Sequence, residues 1–320
     1  MCQQQFCKSF WLIRLLKNYR ELKMLLILWI CLILFGNTPT DNVQTSEKEM
    51  ARFIEHLWQL DKTRINSTAT YELDLQDVLH DASTGMDEAT SPLFRRFNIT
   101  LLLRTVETIP AFINLLDNYY GPTGVREMDT SEELHEIEEF LDKIMETPVM
   151  QGTWKFLQRK GLPLNSPEEF RQLLRMLWFK TYKRKRSGDS SAFEHVFVGE
   201  RKGSKVSGFH NWIRFAQLEA VKALEYRGHF QENCGNPPRM ATISFRMRDG
   251  SVKSKTSMLF GTTPEFELAL YTIVFLSNLR RVRFRMDSCK MKVICHPMSK
   301  KAVLSTCYVT SKTPRNSKDL

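Results

Sequence analysis

The chain lacks the short sequences that mark several common catalytic centres. It has no C-x-x-C pair, which argues against a zinc site built from cysteine thiolates. It has neither the G-x-S-x-G sequence of serine hydrolases nor the H-E-x-x-H sequence of zinc peptidases. A peptidase needs an activated nucleophile or a catalytic metal, so the sequence argues against that class. Internal repeats and low-complexity segments are absent as well.

Long hydrophobic runs are also missing. The most apolar block, Met24 to Gly36, is shorter than the roughly 20 residues that cross a bilayer comfortably. It follows a basic stretch, which is typical of a signal peptide, and we predict a leader over residues 1–36 and a linker over 37–45. The protein is then secreted or lumenal. Because 23 residues precede the block, an uncleaved signal anchor that tethers the protein to a membrane is the alternative.

Cysteine is sparse outside the leader, and the four that remain lie in the C-terminal third: Cys234, Cys289, Cys295 and Cys307. An even number of cysteines in an exported chain predicts one or two disulfides, but the sequence does not determine which residues pair. Glycosylation sequons at Asn66 and Asn98 also favour export.

Positive charge exceeds negative charge. The formal net charge is +10, of which +4 belongs to residues 1–36 and +6 to residues 37–320. Three basic runs carry much of the excess: Lys180–Arg186, Glu200–Lys205 and Arg280–Arg285. This balance is compatible with a polyanionic partner, although each run alone is as readily a solvated face.

The first part of the chain has the pattern of helices. Ser46, Thr130 and Ser166 are each followed three residues later by glutamate and then by apolar residues at helical spacing, which predicts three capped helices. The pattern changes after Gly188, where apolar and polar residues alternate. We predict an α+β fold with a helical part over about 46–187, an antiparallel-sheet part over about 188–310, and a tail over 311–320.

Within the sheet part, residues 193–200 ("FEHVFVGE") are predicted to form a strand that turns at Lys202–Ser204. A second hairpin is predicted to turn at Asp249–Gly250. A helix is predicted after Thr263, with Pro264 in its first turn. The segments "VRFRM", "MKVICH" and "VLSTCYV" are predicted to close the sheet.

Two of only seven histidines, His195 and His210, flank the first predicted hairpin. Cleavage of a phosphodiester needs one group to remove a proton from the nucleophile and another to protonate the leaving oxygen. Imidazole suits both tasks because its pKa lies near neutrality. A nearby cation stabilises the charge that develops on the phosphate. In RNA the nucleophile can be the substrate's own 2′-hydroxyl.

The order of several motifs resembles that of the EndoU family, the poly(U)-specific, XendoU-like endoribonucleases. The matching segments run from about Ser46 to Tyr308 and include "LWQLDKTRI", "FINLLDNYY", "FEHVFVGE", "SGFHNWIRF" and "TPEFELALYTIVFL". The resemblance implies cleavage of single-stranded RNA at uridines by attack of the 2′-hydroxyl, with 2′,3′-cyclic phosphate ends and manganese dependence. It also implies that DNA, which lacks this hydroxyl, is not cut. We expect a monomer that contacts a membrane only if the leader is uncleaved.

By the same resemblance the catalytic residues are His195, His210 and Lys253, with Lys255 as the alternative lysine. His210 is the expected general base and His195 the expected general acid, although the sequence allows the reverse. Thr306 and Tyr308 match the element that shapes the uridine pocket. A threonine can bind a pyrimidine edge by hydrogen bonds, and a tyrosine ring can stack on a base.

The metal ligands are less defined. Glu194 and Glu200 are the candidates, with the alternative that they only orient His195. His229 and His296 lie beside predicted strands and are minor candidates for the site. Two departures from the family pattern, Ala216 and Ser305, leave a second interpretation open: a catalytically weak or inactive secreted RNA-binding protein on the same fold.

Overall fold

The structure is a computed structural model, and it describes residues 43–65, 68–79, 89–119, 122–125, 130–277, 279–298 and 303–311. The predicted leader, the Asn66 sequon and most of the tail lie outside these ranges. Residues from Val43 onward group into one compact unit, with a continuous hydrophobic core. Within the described ranges, every helix is too short or too polar to cross a bilayer.

Eight α-helices occur among the described residues: α1 (Glu47–Leu60), α2 (Ile99–Thr105), α3 (Thr108–Asn114), α4 (Ser131–Met145), α5 (Pro148–Arg159), α6 (Pro167–Trp178), α7 (Trp212–Ala220) and α8 (Pro264–Leu276). Ser46, Thr130 and Ser166 cap α1, α4 and α6 as predicted. At Thr130 the main-chain amide also donates to the Glu133 carboxylate, which completes a capping box. Glu49 instead accepts from the Thr45 hydroxyl, and Glu169 accepts from the main-chain amide of Asn165.

Ten strands form three sheets among the described residues: β1 (Tyr71–Leu73), β2 (Phe94–Phe97), β3 (Glu200–Lys202), β4 (Lys205–Ser207), β5 (Leu224–Cys234), β6 (Met240–Met247), β7 (Val252–Leu259), β8 (Arg281–Met286), β9 (Cys289–Pro297) and β10 (Leu304–Ser311). Strands β1 and β2 pair within the helical part, which the sequence analysis did not predict. A five-stranded sheet has the order β3-β4-β7-β6-β5, and a three-stranded sheet has the order β10-β9-β8.

The predicted α+β class is therefore confirmed. The pairing is antiparallel except where β4 meets β7, which lie parallel through Lys205 and Val252. The hairpin predicted at Asp249–Gly250 joins β6 to β7, and the three predicted closing strands are β8, β9 and β10.

Helix α8 lies at the centre of the fold. All of its residues are buried, including Glu265 and Glu267 in its first turn. A helix that is apolar on every side is expected to be covered on every side, and α8 contacts α1, α3 and α5 as well as β9 and β10. It therefore connects the helical part to the three-stranded sheet.

Two disulfides resolve the pairing that the sequence left open. Cys234 bonds to Cys289 and thereby links β5 of the larger sheet to β9 of the smaller one. Cys295 bonds to Cys307, and these two residues lie directly opposite each other on β9 and β10.

Candidate active site

A short hairpin brings the two sequence-predicted histidines together. Strands β3 and β4 pair through Glu200 and Ser207, and the main-chain bonding continues beyond them. The amide of Phe209 donates to the carbonyl of His195 at 2.9 Å, and the amide of His210 donates to the carbonyl of Val196 at 2.7 Å. The backbone segments that carry His195 and His210 are thus directly hydrogen-bonded to each other.

The prediction of a strand at residues 193–200 was wrong. His195 lies in a five-residue π-helical turn, Glu194–Val198, and all five residues are buried. The apolar residues on both sides of this segment resemble a strand pattern, but they are covered by the core rather than paired in a sheet. π-Helical turns occur frequently at functional sites.

Close packing at the hairpin base requires glycine. Gly208 has φ +66°, and a Cβ atom there would lie 1.8 Å from the carbonyl oxygen of His195. A side chain at this position would therefore separate the two histidine-bearing segments.

His195 is held by a carboxylate. Its Nδ1 lies 2.5 Å from Oε2 of Glu200, which is buried. Burial alone would raise the pKa of Glu200, but the bond to His195 and the charge of Arg184 reverse this, and the net shift is downward. Glu200 is therefore ionised and accepts a hydrogen bond from Nδ1, which leaves Nε2 as the reactive nitrogen.

Arg184 is a site residue that sequence reasoning missed. Its Nε lies 2.9 Å from Oε1 of Glu200, and its Nη2 donates to the Tyr182 hydroxyl and to the carbonyl of Ser305. The sequence leaves the run Lys180–Arg186 as either a solvated face or a contact for a polyanionic partner, but this member of the run joins Glu200 to the start of β10. Arg184 differs from its basic neighbours in its contact with the buried carboxylate of Glu200, and the sequence does not show that contact.

His210 is oriented by the backbone. Its Nδ1 lies 3.0 Å from the carbonyl oxygen of Ser257, which can only accept, so Nδ1 carries the proton and Nε2 has a free lone pair. The Thr256 hydroxyl lies 3.1 Å from the same nitrogen. Burial lowers the pKa of His210 well below its ordinary value, and the charge of Lys253 acts in the same direction. The ring is therefore neutral at physiological pH.

Lys253, on β7, is the lysine whose charge affects the pKa of both histidines. Its positive charge lowers the pKa of His195 and of His210. Burial lowers the pKa of Lys253 itself to about 8, although the charge of Glu200 opposes this shift. The alternative, Lys255, is exposed, and its ammonium lies 4.7 Å from the centre of the Phe230 ring.

The two residues predicted to bind uridine lie on β10, beside the histidines. The ring of Tyr308 stacks against His210, with 5.5 Å between ring centres, and against His296, with 6.1 Å. Thr306 lies directly opposite His296 in the β9–β10 pairing. His296, a minor candidate from the sequence, therefore lies beside both residues predicted to bind uridine.

The remaining minor candidate is His229. It is buried, and its Nδ1 bonds to the carbonyl of Leu75, so it supports a loop rather than the site.

The two departures from the family pattern are Ala216 and Ser305. Ala216 is buried in α7 and serves packing. Ser305 lies at a register shift of β10, and its backbone is outside the left-handed region that favours glycine. The serine at that position therefore causes no backbone strain.

The acidic candidates do not form a cation site together. Glu200 uses one oxygen for His195 and the other for Arg184. Glu194 is buried within the π-helical turn. Among the described residues, no three His, Cys, Asp or Glu side chains are grouped as metal ligands. For Glu200, the structure supports the alternative interpretation, a hydrogen-bond partner that orients His195.

The chain is similar to known proteins over most of its length. A family model described as endoribonuclease XendoU matches residues 49–309. Uridylate-specific endoribonuclease B of Danio rerio is 36% identical over 272 residues, which cover 81% of this chain and 95% of that protein. Poly(U)-specific endoribonuclease of Xenopus tropicalis is 36% identical over 260 residues, covering 77% and 88% respectively.

Among solved structures, the chain is similar to that of XendoU, described as a splicing-independent snoRNA-processing endoribonuclease. The TM-score is 0.71 at 32% identity, and the match covers 84% of this chain and 99% of the other. The fold is thus that of a family of RNA-cleaving enzymes. The chain belongs to the XendoU endoribonuclease family.

Proposed function

We propose that this protein cleaves single-stranded RNA on the 3′ side of uridines by activating the 2′-hydroxyl of the substrate, and that it leaves 2′,3′-cyclic phosphate ends. The observation that carries the proposal is the chemical difference between two adjacent histidines. His210 has a backbone carbonyl as its partner, whereas His195 has a carboxylate. The relatives named for uridylate and poly(U) specificity support the substrate class.

His210 is the general base in this proposal. Because burial and Lys253 hold its pKa well below the ordinary value, the ring enters the reaction neutral. Its Nε2 can then accept the proton of the 2′-hydroxyl as that oxygen attacks the adjacent phosphorus. The Ser257 carbonyl remains bonded to Nδ1–H and stabilises the imidazolium that forms.

His195 is the general acid. Burial lowers the pKa of His195, the hydrogen bond to Glu200 opposes that shift only in part, and the net shift is downward. A bound phosphate adds further negative charge, which favours the protonated ring. Nε2 of His195 then gives its proton to the departing 5′-oxygen, while Lys253 stabilises the charge on the phosphoryl oxygens as a point charge.

The uridine is proposed to bind between Thr306 and Tyr308. Threonine offers a hydroxyl to the pyrimidine edge, and tyrosine offers a stacking face. Tyr308 already stacks on His210, so a base bound at this ring is close to the general base. The pocket and the catalytic pair are therefore coupled through one side chain.

Manganese activation remains a proposal from the family resemblance. The described residues of this site do not fit a protein-bound ion, because no three His, Cys, Asp or Glu side chains are grouped there and the Glu200 carboxylate is ion-paired with Arg184. We therefore assign no step of the reaction to the metal. Comparison of RNA binding and RNA cleavage, each with manganese or EDTA, tests whether the ion affects binding or turnover.

Export to the secretory pathway is also part of the proposal. The two disulfides are compatible with an oxidising compartment. Asn98 is exposed at the start of α2, where its side-chain oxygen caps the amide of Leu101 and its position allows glycosylation. Enzymatic deglycosylation of protein from a mammalian secretory host, followed by mass measurement, tests this part. An unmodified Asn98 would contradict it.

The decisive test uses a short RNA with one uridine and a matched RNA with 2′-deoxyuridine at that position. Cleavage of the first RNA alone, with a 2′,3′-cyclic end detected by mass spectrometry, is the expected result. His210→Ala should abolish cleavage while RNA binding persists. His135→Ala, an exposed histidine on α4, is the control and should behave as the wild type. Binding without cleavage by the wild-type protein would instead establish the non-catalytic RNA-binding interpretation.

A further inference from the structure

We infer that the outer face of the three-stranded sheet is a second RNA-binding site, which holds the phosphates of the strand that flanks the cleaved uridine. The inference rests on the proposed function, in which RNA enters at Thr306 and Tyr308. It extends that function from one nucleotide to a longer stretch of substrate.

The pocket residues and a group of cations lie on the same face of this sheet. The inner face carries apolar residues such as Val282, Val293 and Cys307, which pack into the core. Residues directly opposite each other in antiparallel strands point to the same side. The outer face therefore continues from Thr306 and Tyr308 of β10 across β9 to β8.

The strand register gives the order of residues on this face. Tyr308 lies opposite Ile294, which in turn lies opposite Arg281. The next row contains Thr310, Lys292 and Arg283, and the row after it pairs Lys290 with Arg285. Since each row advances by two residues, or about 7 Å, the Thr306 row and the Lys290–Arg285 row are roughly 20 Å apart. An extended nucleic-acid strand of several nucleotides fits such a path.

The charge of this face is of one sign. Strands β8, β9 and β10 contain no aspartate or glutamate. Five cations share the outer face: Arg281, Arg283, Arg285, Lys290 and Lys292. Of these, Arg283 forms an ion pair with Glu47, which also accepts from the Arg283 main-chain amide.

The acidic residue nearest in sequence is engaged elsewhere. Asp287, in the turn between β8 and β9, accepts from the indole of Trp58 and from Arg239. Neither Glu47 nor Asp287 therefore neutralises the row that contains Lys290 and Arg285. A row of cations beside an aromatic ring that can stack on a base matches the phosphate backbone of a nucleic-acid strand.

The test compares two triple variants that remove the same charge. R285Q/K290Q/K292Q removes three cations of the face, at the end far from the catalytic histidines. K143Q/K155Q/R159Q removes three exposed cations from α4 and α5 and is the control. Binding is measured by fluorescence anisotropy with an RNA of about fifteen nucleotides that carries one 2′-deoxyuridine and so cannot be cut there.

The face variant should bind this RNA about tenfold more weakly at moderate salt, and the slope of log K against log salt should fall by about 2. The control should stay close to the wild type. Cleavage of a trinucleotide with a central uridine should be unchanged, since it does not reach the face. The charge-retaining variant R285K/K290R/K292R should restore binding.

Equal loss in both triple variants, or normal binding by the face variant, would overturn the inference. Loss of trinucleotide cleavage by the face variant would also count against it, because the effect would then lie in the catalytic site. A wild-type protein that fails to cut the trinucleotide contradicts the proposed function instead. The anisotropy comparison still decides whether the face binds RNA, because that measurement does not depend on cleavage.

Discussion

At the scale of single residues, the site is determined by what each histidine has as its partner. A carbonyl can only accept, so it fixes the His210 tautomer with Nδ1 protonated, and burial together with Lys253 keeps that ring neutral. A carboxylate stabilises the imidazolium, so it favours a proton donor at His195. Two identical side chains thereby have different hydrogen-bond partners, which the proposed roles of base and acid require.

Glu200→Gln tests the role of Glu200 as a positioning residue. The variant loses the negative charge that raises the pKa of His195. His195 must be protonated to act as an acid, so the alkaline limb of the pH–rate profile should move to lower pH. The turnover number near neutral pH should fall by about tenfold or more, with little change in KM.

A pH profile measured under saturating RNA checks this prediction. A Glu200→Gln protein with lower turnover but an unshifted alkaline limb would mean that Glu200 acts on structure alone. Circular dichroism confirms that the variant is folded.

Thr306→Val tests the origin of uridine preference. Valine has nearly the shape of threonine but cannot form the hydrogen bond to the base, so the preference for uridine over cytidine should fall by about tenfold. Thr310→Val changes the same type of residue on the same strand and should keep the preference. Competition between two RNAs that differ at one base measures the ratio, and equal preference in all three proteins would exclude Thr306 from recognition.

At the scale of secondary-structure elements, the first turn of α8 contains a buried carboxyl group. Glu267 is buried, and its Oε1 accepts a hydrogen bond from the Thr262 hydroxyl at 2.6 Å. Burial raises its pKa to about 8. The folded protein therefore holds Glu267 protonated at neutral pH, whereas the unfolded chain ionises it near 4.5.

The sign of the resulting pH dependence follows from linkage. Because the folded state binds this proton more tightly, the contribution of Glu267 to stability is greatest below pH 4.5 and is lost as the pH rises to about 8. Glu267→Gln cannot ionise and keeps an oxygen acceptor. It should reduce the loss of unfolding free energy between pH 5 and 8 by an amount on the order of a few kcal/mol.

Urea unfolding of both proteins at several pH values measures this difference. The two should have similar stability near pH 5 and diverge steadily as the pH rises to about 8, with the variant the more stable. Parallel curves across the whole range would show that folding does not shift the pKa of Glu267.

At the scale of the whole molecule, the two disulfides connect different parts of the fold. Cys234–Cys289 joins the two sheets and closes a separation of 55 residues, whereas Cys295–Cys307 joins neighbouring strands across 12 residues. The chain-entropy argument assigns about 4 kcal/mol to the longer closure and about 3 kcal/mol to the shorter. The shorter one, however, brackets the segment that carries Thr306.

Double serine variants separate the effect of each disulfide on stability from its effect on uridine preference. C234S/C289S should lose the larger free energy of unfolding and keep its uridine preference. C295S/C307S should lose less stability but show weaker preference for uridine, because Thr306 and Tyr308 flank Cys307. Urea unfolding and the two-RNA competition measure the two effects. Equal loss of preference in both variants would contradict a local role for the shorter bond.

Much of the architecture could be predicted from sequence because its signals are local. A serine or threonine cap, a proline in the first helical turn and an Asp-Gly turn each act within a few residues, and the structure confirms them at α1, α8 and the β6–β7 hairpin. The family was also recognisable from motifs in order, and the comparisons confirm it.

The errors arose where burial overrode local pattern. The segment around His195 alternates like a strand, yet core packing on every side makes it a π-helical turn. The small β1–β2 hairpin was missed because each strand is short and lies within a helical region. The boundaries proposed for the leader, linker and tail stay predictions.

By itself, the sequence determined the α+β class, the family and the residues that carry the proposed chemistry, because these depend on residue type and on spacing along the chain. Only the tertiary structure decided that Glu200 bonds to His195, that Arg184 joins this pair to β10, and that Cys234 pairs with Cys289. It also decided that basic residues continue along the sheet from Thr306 and Tyr308. These contacts join residues far apart in the chain, and their energies depend on distance and burial, which the order of residues does not specify.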